Sequence, residues 1–397
     1  MSTTALLGAF LIAWFGLTYG VFTYDEAVSF VPMRIIALVV GVMIVVEVAE
    51  KSGAFRFAAL YAIKISGGNP KRLFITLNVT AALVSMFLGD PTAMLLIAAA
   101  VTTISKLLGY DPIPYFISAA VMVNLGGTST LIGSISNMII GVEAGFSFTE
   151  FLSYLAPAEI MLWGLTILSL YLLLKSRLGV RKTLPSYDPW GGIEEKKILY
   201  RSIFLLILMV ILFIFLEKIG LGPEAVALGC AILSLAISGL DPAEIFRGLD
   251  WETVFFLAGF FFLVKGMEKT GIYAIVSQEI FRLTTESSLN ASLLTLWFSG
   301  LMSTLISNTA VSLTFIPIIK GLTVFDPKIL WSALILGTNL GGVTTPLSGS
   351  VAVMTMGAMK REGISMSFTE FTKIGIVTTL IQLGFASLYM SVRFGLV

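Results

Sequence analysis

Histidine is absent from the 397 residues, cysteine occurs once, and charge is scarce, with Asp, Glu, Lys and Arg filling only 12% of positions. Without histidine there is neither a histidine metal site nor a histidine proton relay, so any group that moves a proton must be Asp, Glu, Lys, Tyr or Cys. The one cysteine, Cys230, lies in an apolar run and excludes an intrachain disulfide. The charge content is about half that of a soluble domain. A net charge of +1 argues against a nucleic-acid partner. No G-x-x-x-x-G-K-[ST] loop occurs, which argues against an ATP-driven pump within this chain and leaves an external ATPase partner open. What is present is apolar: 57% of residues are hydrophobic and the mean hydropathy is +0.95. The chain reads as an integral membrane protein.

A hydrocarbon layer about 30 Å thick asks for roughly 20 apolar residues per crossing helix. Crossings are expected at 5–22, 33–50, 151–174, 198–216, 224–240, 251–265 and 372–392. The run 5–22 has no basic lead and no clear small-x-small cleavage site, so it reads as a retained helix rather than a signal peptide. Two further crossings, 114–141 and 328–359, are broken by polar, glycine-rich letters. A break is costly inside a bilayer, where no water satisfies the freed backbone, and it persists where it lines a cavity or a site. The runs 73–108 and 291–322 are interrupted midway by Gly89-Asp90-Pro91-Thr92 and by Ser307-Asn308-Thr309. Re-entrant hairpins with tips at the midplane are the economical reading of both, and two ordinary spans joined by a short loop are the alternative. Residues 52–66, with Arg56 and Lys64 among aromatics, suit a helix lying in the interface.

The break is written twice. Asn124-Leu125-Gly126-Gly127 and Asn339-Leu340-Gly341-Gly342 each follow an Asp-Pro by 13 residues, counted from Asp111 and Asp326. Glu50-Lys51-Ser52-Gly53 matches Glu268-Lys269-Thr270-Gly271, and Thr92-Ala93 matches Thr309-Ala310 at the hairpin tips. Ser147-Phe148-Thr149-Glu150-Phe151 recurs letter for letter from Ser367 to Phe371. The matching letters are the polar ones, which rules out coincidence in a chain rich in Leu, Ile and Val. This is an internal duplication: residues 1–174 and 198–397 are two repeats joined by a cytoplasmic linker at 175–197. An odd number of crossings separates equivalent spans, so the copies lie upside down to one another. Basic residues gather between 51 and 72, in the linker and at Lys360-Arg361, whereas Asp25, Glu26, Glu143 and Glu150 have no Lys or Arg beside them. The positive-inside rule then puts the N-terminus in the cytoplasm and the C-terminus outside, in a membrane expected to be a prokaryotic plasma membrane.

Superposing two inverted halves brings tips and breaks together near the midplane. The first half delivers Asp90, Thr92, Asn124, Thr128, Ser129 and Thr130; the second delivers Ser307, Asn308, Thr309, Asn339, Thr344 and Thr345. Their amide, hydroxyl and carbonyl oxygens suit a small hard cation, and the helix N-termini beside them suit an anion. The blander reading is that small and hydroxylated residues let helices pack closely. Asp90 is the sharpest residue, because a carboxylate at the midplane costs about 2.5–3.5 kcal/mol on insertion scales. It could ligate a cation, carry a proton, or cap the second hairpin arm with Pro91 at the first helical position. Glu47 and Glu159 fall nearer the membrane edges, where structural roles are expected, and Lys265 and Glu268 end a span.

On these motifs the chain resembles the superfamily of ion transporters that holds arsenite permeases, the melanosomal P protein, D-type sodium/proton antiporters and divalent anion/sodium symporters. The resemblance runs over 33–397 and is nearest to the arsenite permease and P-protein branch. It implies an all-α polytopic membrane protein of two inverted-topology repeats, each with a re-entrant hairpin and a broken transmembrane helix. It also implies an elevator in which hairpins and broken helices move together against a dimer scaffold. The function it implies is secondary active transport of a small anion, an oxyanion such as arsenite or a dicarboxylate, coupled to Na+ or H+. A Na+/H+ antiporter of the same superfamily is the alternative. The resemblance carries sodium and substrate binding onto Ser307, Asn308, Thr309 and Asn339, with Gly341 beside it, and a first cation site onto Asp90, Thr92, Asn124 and Gly126. A bound sodium ion is the only cofactor it implies, and lipid and a second copy of the chain are the implied neighbours. The first tip departs from the pattern, reading Gly-Asp-Pro-Thr where the symporters have Ser-Asn-Thr and the permeases Asp-Asn. A carboxylate thus stands for an amide, which opens proton coupling beside sodium coupling. The second break lacks the Gly-Thr-Leu-Ile-Gly continuation common in the permeases. A passive channel would not need a duplicated hairpin and broken helix. Phe87-Leu88-Gly89-Asp90 brushes against the Gly-x-Gly-Asp motif of intramembrane aspartyl proteases, but the first glycine is missing and Tyr110-Asp111 comes in the wrong order. No enzyme is expected.

Overall fold

The computed structural model describes residues 2–182, 188–193, 195–216, 219–283, 287–322 and 326–395. Part of the expected linker, 183–187 and 194, therefore lies outside the described residues. Among those described there are nineteen α-helices, two short 3-10 turns and no strand. The first nine are α1 (Ser2–Thr18), α2 (Tyr24–Ser29), α3 (Met33–Lys51), α4 (Ala54–Ser66), α5 (Pro70–Ser85), α6 (Asp90–Leu108), α7 (Ile113–Thr128), α8 (Ile135–Glu143) and α9 (Phe148–Leu174). After α10 (Lys196–Leu216) come α11 (Pro223–Ile237), α12 (Pro242–Gly248), α13 (Trp251–Glu268), α14 (Ile272–Leu283) and α15 (Ser288–Ser303). The chain ends with α16 (Asn308–Lys320), α17 (Pro327–Leu340), α18 (Ser350–Arg361) and α19 (Phe368–Phe394).

The duplicated letters turn out to be helix punctuation. Ser147 and Ser367 cap α9 and α19 by accepting from the N–H groups of Glu150 (3.0 Å) and Glu370 (3.1 Å), and Phe151 and Phe371 one residue on are fully buried. Gly53 and Gly271, which follow α3 and α13, both take the left-handed conformation with φ of 80° and 78°, where a residue with a Cβ is strained. Asp326 caps α17 by accepting from Lys328 N (2.9 Å), and Asp111 accepts from Ile113 N (3.0 Å) at the start of α7.

The two runs expected as hairpins are α5–α6 and α15–α16, turning at 86–89 and 304–307. Their second arms differ in length. With 13 residues, α16 reaches ~20 Å, short of a ~30 Å hydrocarbon layer. With 19 residues, α6 is long and apolar enough to cross, as are four other described helical stretches, 24–51, 148–177, 196–216 and 368–394. The two runs expected as broken crossings are α7–α8 and α17–α18, interrupted at 129–134 and 341–349. The broken helices form the centre, with α7 buried along its length from Pro114 to Thr128 and α17 from Ile329 to Leu340.

The packing is crossed. Each first hairpin arm lies along the adjacent broken helix, α5 on α7 and α15 on α17, and each second arm touches that same helix and also the far half of the other broken one, α6 on α18 and α16 on α8. Ion pairs fasten both crossings, Lys106 of α6 to Glu362 (2.8 Å) and Lys320 of α16 to Glu143. Helices α9 and α19 flank this body and touch each other. In a second body, α1 packs along α13 and α3 along α11, with α10 beside them. On its outer surface Leu7, Phe10, Trp14, Phe204, Ile207 and Phe215 are all exposed. Large apolar residues exposed side by side on crossing helices face lipid rather than water.

Candidate substrate and cation site

Where a helix stops inside the molecule, its last carbonyls need partners. Asn137, at the start of α8, supplies them for α7: its Nδ2 donates to the carbonyls of Gly127 (3.0 Å), Thr128 (3.2 Å) and Thr130 (2.8 Å). Its Oδ1 accepts from Asn339 Nδ2 (2.8 Å). Asn339 Oδ1 accepts from Ser134 and Ser136 (both 3.3 Å), and Asn124 Nδ2 donates to the Asn339 carbonyl (2.6 Å). These fully buried bonds stitch the two breaks together. Asn339 is saturated by them, whereas the other oxygen of the pair, Asn124 Oδ1, faces Gly342.

The hairpin tips meet the breaks at two glycines. Asp90 Oδ1 lies against Gly127, where a Cβ would collide with it. A Cβ on Gly342 would stand 2.6 Å from Asn124 Oδ1 and 2.7 Å from both amide atoms of Asn308. Each tip residue also accepts from a serine five residues before it, Asp90 from Ser85 (3.3 Å) and Asn308 from Ser303 (2.8 Å). Each tip is pinned by a threonine of its break: Thr130 Oγ1 donates to the Met86 carbonyl (2.6 Å), and Thr345 Oγ1 to the Thr304 carbonyl (3.1 Å).

These contacts align the two tips one residue differently from the letters. The letters pair Thr92 with Thr309, and so Asp90 with Ser307, whereas the contacts pair Asp90 with Asn308. They also remove one role expected of Asp90. The residue before α6 is Gly89, which makes no side-chain cap, and Asp90 is itself the first helical residue with its carboxylate turned to Ser85 and Gly127. At the other tip it is Ser307 that caps, accepting from Ala310 N (3.4 Å), and Asn308 is the first helical residue.

The remaining expected residues fall into separate places. Thr92 and Thr309 sit partly exposed in the first turns of α6 and α16, and their hydroxyls have no partner among the described residues. Thr128 bonds back to the Asn124 carbonyl (3.1 Å). Gly126 and Gly341 press on the backbones of Ala82 in α5 and Gly300 in α15, a close approach that a side chain would block. Ser129 and Thr344 turn away from the tips, Ser129 to Glu159 (3.4 Å) on α9 and Thr344 to Thr379 (2.8 Å) on α19. Glu159, expected near a membrane edge, is fully buried beside the first break. Sequence reasoning passed over Gly127, Gly342, Asn137, Ser85 and Ser303, although Ser85 and Ser303 repeat at the same offset as Asp90 and Asn308.

The open polar atoms around the tips are thus the second Asp90 oxygen, Asn124 Oδ1 and Asn308 Nδ2, with the Thr92 and Thr309 hydroxyls further on in the first turns of α6 and α16. Two helices, α6 and α16, begin there, offering backbone N–H groups and positive dipole ends to an anion. Asp90 and Asn124 offer hard oxygens to a cation. Among the described residues no cluster of His, Cys, Asp or Glu could hold a transition metal.

A membrane protein whose two broken helices and two helical hairpins meet at a polar centre belongs to the class of transporters. The sequence profile of the CitMHS citrate transporter family matches residues 1–337, and the chain belongs to that family, within the ion transporter superfamily that its motifs resemble. A 46 kDa membrane protein of Mycobacterium leprae is 31% identical over 370 residues, covering 91% of this chain and 86% of its own length. The P protein of Mus musculus is 25% identical over 452 residues, and the chain spans about half of it, 54%. The YdaH transporter of Alcanivorax borkumensis, whose crystal structure has an unusual topology, superposes with a TM-score of 0.68 at 17% identity, covering 96% of this chain and 89% of that one. That likeness shows the fold.

Proposed function

We propose that the protein is a secondary active transporter that carries a small anion across the membrane, coupled to Na+ or H+. The observation that carries this reading is that Asp90 and Asn308, from two different hairpins, rest on Gly127 and Gly342 of two different breaks, with Asn124 of the first break beside Asn308 at Gly342. The family name makes citrate the first substrate to test, followed by dicarboxylates and by arsenite as an oxyanion. Residues 1–174 (α1–α9) and 198–397 (α10–α19) are read as inverted repeats, each with a re-entrant hairpin. Elevator motion would then slide the body of hairpins, broken helices, α9 and α19 along the body of α1, α3, α10, α11 and α13. A homodimer held through that second body, a cytoplasmic N-terminus and an outside C-terminus complete the proposal. Coupling by an external ATPase is the less economical variant.

A second reading, Na+/H+ antiport, is favoured by one observation: the convergence holds a carboxylate and no Lys or Arg to neutralise an anion. Uptake of radiolabelled citrate by proteoliposomes, under an imposed Na+ or H+ gradient, separates the two. Citrate accumulation driven by either gradient supports the symporter and names its ion. Sodium-driven proton flux that ignores citrate, dicarboxylates and arsenite overturns the first reading in favour of the antiporter.

A further inference from the structure

One buried carboxyl has no part in the site described. Glu159 is 1% exposed and stands 11 residues into α9, ~16 Å from its start and near the middle of a ~30 Å layer. Its Oε2 accepts from Ser129 Oγ (3.4 Å) at the first break, and Ser129 Oγ in turn accepts from Trp163 Nε1 (3.1 Å). Its Oε1 is buried without a hydrogen-bond partner. Leaving such an atom unpaired is costly, and more so if it is charged.

The other half shows how little is needed at this place. Thr379 stands as far after the Ser367 cap as Glu159 stands after the Ser147 cap, and Thr344 as far after Asn339 as Ser129 after Asn124. There the link between break and flanking helix is a hydroxyl pair, Thr344 to Thr379 at 2.8 Å, and Thr379 also reaches the Leu340 carbonyl (3.3 Å). A hydroxyl therefore suffices to tie the break to its flanking helix, and the carboxyl in the first half is surplus to that task.

We propose that Glu159 is a second proton-binding site, which takes up and releases a proton against the first break and so sets the charge beside it. The proposal rests on the reading of the protein as a secondary transporter. Asp90 meets the same segment at Gly127, two positions before Ser129 and roughly 200° round the helix, so the two carboxyls flank the break from different sides. Among the described residues no other charged group faces Glu159. On α9, Glu150 pairs with Lys328, and Tyr154 and Tyr171 lie towards its ends. On α7 the phenol of Tyr115 donates to the Leu178 carbonyl at the far end. On α19, Glu370 is held by Arg177, Arg393 by the carbonyls of Ser153 and Tyr154, and Lys373 is exposed. On α5, Lys71 lies over the Tyr171 ring and Arg72 is exposed, and on α10 Lys196, Lys197 and Arg201 all sit exposed at its beginning. Protonation at Glu159 is thus the one change of charge available on that side of the break.

Infrared difference spectra of the purified full chain in nanodiscs, stepped between acid and alkaline buffer, read the group directly. A protonated-carboxyl band that comes and goes with pH is expected in the wild type. It should survive in Asp90→Asn and vanish when Asp90→Asn is combined with Glu159→Thr, which copies the hydroxyl of the other half, or with Glu159→Gln. An Asp90→Asn spectrum without any such band, or a band that persists in the Asp90→Asn/Glu159→Thr double variant, overturns the proposal. In proteoliposomes, citrate uptake by Glu159→Thr should have a pH profile displaced from that of the wild type, and an unchanged pH profile also overturns it. Wild-type vesicles that take up no citrate would defeat the functional reading above while the spectra still decide Glu159.

Discussion

Asp90 and Asn308 hold the same place on their hairpins, and the difference between an acid and an amide there is where the choice of coupling ion should lie. Asp90→Asn makes the tips alike. It is expected to abolish any dependence of uptake on a proton gradient while leaving a sodium-driven component, read in the same vesicles under the two gradients. Gly127→Ala or Gly342→Ala would push a methyl into Asp90 or into Asn308 and Asn124. Overpacking of this kind costs about 1–3 kcal/mol, so a loss of transport of about 5- to 150-fold is expected from either variant, with the chain still monodisperse on size exclusion. The letters of the sequence picked out Asp90, Asn124 and Asn308, because a charge or an amide in an apolar run is conspicuous. They did not pick out Gly127 and Gly342, since one glycine of a Gly-Gly pair looks like the other until the hairpin tip is seen resting on the second. The saturation of Asn339 was equally invisible, because its partners Asn137, Ser134 and Ser136 lie about 200 residues away in sequence.

At the scale of elements, the sequence was most readable where helices begin and end. The repeated Ser-Phe-Thr-Glu-Phe is a cap with its first buried anchor, and Ser147→Ala or Ser367→Ala should each cost about 1 kcal/mol, seen as a lowered melting temperature in detergent. Thr130→Val removes the bond that pins the first hairpin to its break and strands the Met86 carbonyl, at a cost of about 1–3 kcal/mol. Its counterpart Thr345→Val should behave alike, and protection of the two hairpins from hydrogen exchange would report each loss locally. Breaks and turns were legible because polar and glycine letters interrupt apolar runs. The depth of Glu159 was not, because the apolar pattern marks the crossing from about 151 whereas the cap extends α9 back to Phe148 and carries the helix past it. Neither short helix, α2 or α12, was foreseen, since six or seven residues show too little periodicity to read.

At the scale of the molecule, hydropathy alone yields a membrane protein and the repeated letters yield a duplication, but neither says which helix lies on which. An apolar stripe fits many partners, so the crossing of α6 onto α18 and α16 onto α8 had no signal in the pattern. Only the charge pairs that fasten it, Lys106 to Glu362 and Lys320 to Glu143, left a trace, as lone charges at the ends of apolar runs. Cutting the chain between 182 and 188 and producing the two pieces together should give a complex that co-purifies and transports, while either piece alone is expected to be degraded or aggregated. Two pieces that are each stable and monodisperse alone would show that the crossed contacts are dispensable.

The crossing also sets a schedule for synthesis. The first hairpin leaves the ribosome roughly 240 residues before α18, the surface that is to cover its second arm. Throughout that interval the face of α6 that α18 is to cover has no protein partner, and it must be sheltered by the insertion machinery or by lipid. Damage to α18 should therefore be felt first as a defect of biogenesis, with chains arrested and cleared before any transport cycle can be measured.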